Sequence, residues 1–159
     1  MFKVLFLFLF STIFLFSNEI EFKEEKYIDA LNTSVYRNGI LNINKDFIKV
    51  AYPQQDKSFT FTKENIIEKN AKKENIITYE DNLDLTIFSK IIESIYTNKV
   101  ENIKEYFDIK KSNKVTTLLP NEYVANVIDK IEYQKIDSKL KFLKIYFTNN
   151  DWINIVQTQ

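Results

Sequence analysis

The chain has no cysteine and no histidine. The first absence excludes a disulfide framework and thiol chemistry. The second removes the commonest general base and the commonest metal ligand together. Glycine occurs once and proline twice in 159 residues, so a glycine-rich phosphate loop cannot be built. An excess of either charge is lacking too, since 22 basic side chains balance 22 acidic ones. A nucleic-acid binder would carry a basic stripe, and a chain held electrostatically on anionic lipid would carry a polybasic run. The sequence has neither.

What is abundant is apolar surface. There are 14 Phe, 9 Tyr and one Trp, enough for one modest core in one domain. The first seventeen residues, MFKVLFLFLFSTIFLFS, stand apart. Lys3 gives a short positive start. Val4 to Phe16 is apolar apart from Ser11 and Thr12, Ser17 is small, and Asn18–Glu19 turns polar at once. This layout reads as a secretory signal peptide over 1–17, with an uncleaved anchor as the alternative. A spanning helix needs about 20 apolar residues, more than this run supplies. Leu15 at the −3 position is larger than ideal, which leaves the cleavage point open. No cysteine follows, so the chain would not itself be lipidated. The expectation is an exported protein with one domain over 18–159.

Short strands dominate the remainder. Residues 20–30 alternate weakly and read as an edge strand. Asn38–Gly39 is the one strong hairpin signal, with an irregular bend inside a strand as the alternative. In FIKVAY at 47–52, Ile48, Val50 and Tyr52 share a face, and Pro53 ends the strand because it cannot donate to a ladder. Phe59 and Phe61 share a face in the next strand. Ile66–Ile67 and Ile76, Ile77 and Tyr79 mark two more. The period then changes. Leu85, Phe88, Ile92 and Ile95 recur at helical spacing, with Asn82 or Asp84 as cap, and Val100, Ile103 and Phe107 make a shorter second pattern. Strands resume at 105–110 and 114–119, at 126–136 with Val127, Ile131 and Tyr133 alternating, and at 139–148. There Leu140, Phe142 and Tyr146 fall on one face, and Leu143, Ile145 and Phe147 on the other. Asn149–Asn150–Asp151 turns into a last strand at 152–156.

Many short strands with one helical insertion predict a mainly β (α+β) fold. A curved antiparallel sheet or incomplete β-barrel would be covered by a short helical lid. A helix laid over a curved sheet either leaves an apolar pocket or packs solid against it.

The stretch from Tyr36 to Glu80 is similar to the signature region of LolA-type periplasmic carriers of outer-membrane lipoproteins. The shared features are the Gly39–Ile43 segment, a strand from Phe47 closing on Tyr52–Pro53, and paired strands from Phe59 to Tyr79. The helical insert at 84–107, Leu118–Leu119–Pro120, a strand around Ile131–Tyr133 and a closing hairpin at 149–151 keep the same order. The resemblance implies an apolar cavity that shields the acyl chains of lipoproteins between an inner-membrane release transporter and an outer-membrane receptor. It also implies a monomer in the periplasm with no cofactor. The chain departs from the pattern in two places. No helix fits before the first strand, and the arginine–proline pair that follows the glycine strand is replaced by Asn44–Lys45–Asp46. The only arginine is Arg37, so no residue here inherits a lid-latching role.

On this reading Ile48, Val50, Tyr52, Phe59, Phe61, Phe142 and Tyr146 line the cavity. Leu85, Phe88, Ile92 and Ile95 form the inner face of the lid. The plainer reading makes all of them ordinary core. Trp152 reads as a packing anchor, Glu21, Glu24 and Glu25 as a solvated edge, and Asp84 as a cap. Enzymatic activity is not expected, because no acid–base pair or metal-ligand spacing is present. The alternative function is a periplasmic binding or assembly module that recognises another protein through the same sheet without carrying lipid.

Overall fold

The computed structural model describes residues 19–159, so the expected leader over 1–17 lies outside the described residues. Eleven strands form one antiparallel sheet: β1 (Glu19–Ile28), β2 (Thr33–Ile43), β3 (Ile48–Tyr52), β4 (Lys57–Phe61), β5 (Ile66–Lys69), β6 (Glu74–Ile77), β7 (Phe107–Ser112), β8 (Val115–Pro120), β9 (Ile128–Ile136), β10 (Lys139–Phe147) and β11 (Trp152–Gln157). The spatial order is β6-β5-β4-β3-β2-β1-β11-β10-β9-β8-β7. The sheet is curved and unclosed, since β6 and β7 are its two edges. A single α-helix, α1 (Leu83–Thr97), connects those edges, followed by a 3₁₀ turn at Val100–Ile103.

This order corrects the reading of residues 20–30. β1 is the central strand, paired with β2 on one side and β11 on the other. The chain starts at the middle, meanders out to β6, crosses through α1, and meanders back from β7 until β11 meets β1. Weak alternation looked like an edge because the partner on one flank is 131 residues distant in sequence: Glu24 faces Ile155.

Asn38–Gly39 also departs from expectation. It makes neither a hairpin nor a bend, because the ladder between β1 and β2 runs through it without a shift. Gly39 is opposite Phe22, and a Cβ there would lie 2.1 Å from the Phe22 ring. The glycine makes room for an aromatic ring that packs edge-on against Tyr52 at 5.9 Å. The β1–β2 turn is instead a 3₁₀ turn, Asp29–Leu31, closed by Asn32 in the left-handed region. Asn, Asp and Ser take every such position among the described residues: Asn32, Asp56, Asn98, Asn113, Asp137, Ser138 and Asn150. Asn and Asp tolerate this conformation better than other residues with a Cβ, so a chain nearly without glycine can still make tight turns.

One face of the sheet is buried. Leu41, Val50, Phe61, Ile66, Leu118, Ile131 and Leu143 meet α1 in a single core cluster. The helix begins where Asn82 accepts a hydrogen bond from the Leu85 N–H at 3.1 Å, the usual N-cap geometry. It ends at Asn98 in the left-handed region. Lys135 on β9 donates to the Ile95 carbonyl at 2.6 Å and to the Asn98 side chain at 3.1 Å. A cation at that end also opposes the helix dipole favourably, although burial pulls the Lys135 amine below the usual lysine range. Val127, expected in the β9 alternation, precedes that strand in a turn and is exposed.

Candidate functional site

A groove of about 800 Å³ lies beside α1, within the size range of small-molecule sites. The β2–β3 turn, the β4–β5 turn and one side of the helix form its walls. Ile43, Phe47, Ile48, Phe61, Tyr79 and Tyr106 make the apolar part of the lining. Leu83, Thr86, Ser89, Lys90, Glu93 and Thr97 make the helical wall. From Leu83 to Thr97 is fourteen steps of 1.5 Å, so that wall is about 21 Å long. It would suit an extended chain-like ligand better than a compact one.

The hydroxyls of this wall are already engaged. Thr86 donates its hydroxyl to the Tyr79 and Asn82 carbonyls, both at 2.8 Å, and Ser89 donates to the Thr86 carbonyl at 2.8 Å. Their hydroxyls are therefore committed to backbone, and their methyl and methylene groups are what a ligand would meet. Tyr79 donates to the Thr62 carbonyl at 2.5 Å, which ties the helix approach to the β4–β5 turn. Burial, with Glu93 adding to it, raises the Tyr79 phenol above its usual range. Burial raises Tyr106 as well, with Glu105 adding to it. Both phenols are neutral at physiological pH, as an apolar lining requires. Among the described residues no group of three or more metal-ligating side chains converges.

The residues expected to line a cavity divide five ways. Ile48 and Phe61 do line the groove. Val50 lies beside it in solid core, 2% exposed. Phe59 is half-buried against that core, stacked on Phe61 at 6.4 Å, with the Lys57 amine 4.7 Å from its ring centre. Tyr52 is committed elsewhere. Its hydroxyl donates to Glu24 at 2.7 Å, and its ring lies 4.9 Å from the Arg37 guanidinium, which is ion-paired with Glu24. Burial first, and the Glu24 carboxylate second, push the Tyr52 phenol far above its usual range.

Glu24 is therefore no solvated edge residue. It is 3% exposed and belongs to a charge pair on the inner face of the central strands, with its partner Arg37 partly exposed. Such a pair is costly to break, since removing one partner strands the other charge in low dielectric.

Phe142 and Tyr146 lie on the opposite face of the sheet. The register shifts between Leu140 and Phe142, and this bulge reverses the alternation beyond it. Leu140, Leu143 and Ile145 thereby point into the core, at 2%, 0% and 6% exposure. Tyr146 instead meets polar neighbours. Its hydroxyl donates to Glu132 at 3.2 Å, and the Lys130 and Lys144 amines lie 4.6 and 5.0 Å from its ring centre. Lys144 also covers Trp152 at 4.1 Å, and Trp152 stacks on Tyr27 at 5.4 Å. Trp152 thus serves as the expected anchor, though on the outer face.

The expected lid face is likewise core rather than groove. Ile92 and Ile95 are buried, and Leu85 and Phe88 are half-buried against the core, with Phe88 6.3 Å from Phe61. The groove is lined by the other side of α1. Sequence reading assigned Thr86, Lys90, Glu93 and Thr97 to no site, because a polar stripe at helical spacing looks like a solvent face.

No family model matches the chain, and no curated protein matches it. Among solved structures, the chain is similar to a domain from Vibrio parahaemolyticus that is described as an outer membrane lipoprotein-sorting protein, with 9% identity and a TM-score of 0.46 over 89% of this chain and 83% of that one.

Proposed function

We propose that this protein is a periplasmic carrier that holds the acyl part of a lipoprotein in the groove beside α1 and escorts it between membranes. The observation that carries this reading is the groove itself: a long trough with an apolar β wall, a helical wall whose hydroxyls are internally satisfied, and charged side chains at its rim. Each methylene removed from water contributes about 0.8 kcal/mol, so an acyl chain gains from such a lining while its polar headgroup stays outside. The proposal includes binding rather than catalysis. It places an inner-membrane release transporter and an outer-membrane receptor as partners on the strength of the sequence resemblance.

A fluorescent acyl probe tests it. Uptake is expected at micromolar protein, and Leu83→Glu is expected to lower it by about tenfold, since a charge on the wall costs about 1.4 kcal/mol or more of binding. Leu83 is 45% exposed, so that substitution leaves the fold intact. Failure of the unaltered protein to take up any probe would sink the reading.

A second reading has one specific observation in its favour. The contact between α1 and the sheet is solid, with Ile66, Ile91 and Ile95 at 0%, 1% and 1% exposure. A module that recognises another protein through the sheet, without lipid, needs no cavity at that interface. It predicts no probe uptake and retention of a protein partner.

A further inference from the structure

We propose that the free edge of β6 pairs antiparallel with the same edge of a second copy of this chain, joining two sheets into one. The two edges of the sheet are not alike. β7 carries Lys110 and Lys111 side by side, both exposed, so each face of that edge ends in a charge. Edge lysines guard a strand against addition of another. β6 reads Glu74–Asn75–Ile76–Ile77, and its Ile76 is 70% exposed. An apolar side chain at an open edge leaves the backbone beside it unguarded. The monomer implied by the sequence resemblance would leave this edge bare.

The direction of the free backbone groups follows from the β5–β6 turn. The Asn70 N–H donates to the Lys73 carbonyl at 3.0 Å. Hydrogen-bonded pairs alternate along an antiparallel ladder, so Glu68–Asn75 and Ile66–Ile77 are the next bonded pairs. The N–H and C=O groups of Glu74 and Ile76 therefore point away from β5, and no strand lies on that side. Thr78 continues the series, and all three residues are exposed.

Symmetry then selects the register. Residues directly opposite in an antiparallel pair share a face, so a two-fold axis through the sheet centres on one residue. Centring on Asn75 sets Ile76 against Glu74, and centring on Ile77 sets Glu74 against Glu80. Centring on Ile76 sets the two Ile76 side chains together, with Glu74 against Thr78. The same register brings Lys72 of one copy toward Glu80 of the other, and both are exposed. Three bonded pairs, each exchanging two bonds, give about six backbone hydrogen bonds. Both α1 helices then lie on one face of the joined sheet. Glu80 also lines the groove, so each groove borders the junction.

The pairing does not depend on what the groove holds. Contact along so short a strand falls in the weak class of interface, below about 1,200 Å². Sedimentation equilibrium of the full chain is expected to show dimers as the protein approaches about 0.1 mM. Ile76→Lys sets like charges opposite each other and is expected to weaken association by about tenfold. Ile76→Glu is expected to do the same. A mixture of the two variants is expected to regain association, because unlike charges then meet across the axis. Residues 1–17 are present in every variant, so differences between variants report the edge alone. Amide exchange at Glu74, Ile76 and Thr78 is expected to slow as protein concentration rises. A chain that stays monomeric overturns the proposal, whether the edge is vacant or serves a strand of another protein. So does association that Ile76→Lys leaves intact, an equal loss in Lys110→Glu on β7, or a mixture that stays apart.

Discussion

One side of α1 presents Ile87, Ile91, Ile92 and Ile95 to the sheet, and the other presents Thr86, Lys90, Glu93 and Thr97 to the groove. The two sides share one backbone and one set of caps, yet they meet opposite surroundings. Toward the sheet, large aliphatic side chains interlock with Ile66, Leu118 and Ile131 in one cluster. Toward the groove, hydroxyls turn back to their own backbone and the wall stays open. The difference teaches that the helix is held by one side and leaves the other open. Its ends reinforce this division. Lys135 and Gln157 hold the last turn, through the Ile95 carbonyl and the Tyr96 hydroxyl, at 2.6 and 3.4 Å.

The strongest way to break the comparison is to remove packing on the sheet side. Ile91→Ala is expected to cost about 2–5 kcal/mol in urea denaturation, while the fraction that remains folded binds the acyl probe as before. A loss well under that range would mean that the helix is not seated by this side. Lys135→Ala should cost about 1–2 kcal/mol by uncapping the last turn, and it should raise hydrogen exchange first at 95–98. Protection unchanged there would remove the anchoring role.

A smaller effect comes from alkaline titration of the anchored end. Burial pushes the Tyr96 phenol up to about 12, whereas an unfolded tyrosine titrates near about 10. Between those values the folded state keeps a proton that the unfolded state has lost. Stability is therefore full below about pH 10 and declines as pH rises toward about 12. Tyr96→Phe is expected to flatten part of that decline; an identical pH profile would place Tyr96 in contact with water. Smallest of all, Lys90→Ala on the groove side should shift stability by less than about 0.5 kcal/mol. Its ion pair with Glu105 is long, at 3.6 Å, and exposed. A larger shift would show the groove side to be structural after all.

Much of the fold was legible locally. The strands at Ile48–Tyr52, Lys57–Phe61 and Lys139–Phe147, and the helix with its Asn82 cap, follow from alternation, helical period and capping chemistry within a few residues. Asn and Asp at the turns could also be recognised once glycine was seen to be missing. The site was less legible. Ile48 and Phe61 border the groove because inward alternation reaches it as well as the core. Phe142 and Tyr146 were misplaced by one bulge, which leaves no mark in composition. Glu24 looked like surface because its partners Arg37 and Tyr52 come from other strands.

The sequence by itself determined a β-rich domain with one amphipathic insert, and it determined that the insert would bury an aliphatic face. Both depend on side-chain periodicity and backbone preference, which act over a few residues. Only the tertiary structure decided that β1 is central, that Glu24 is paired in the interior, and which side of α1 borders an open groove. Those outcomes depend on which distant strands meet and in what register, and a pairing across 131 residues, as between Glu24 and Ile155, leaves no local trace for periodicity to report.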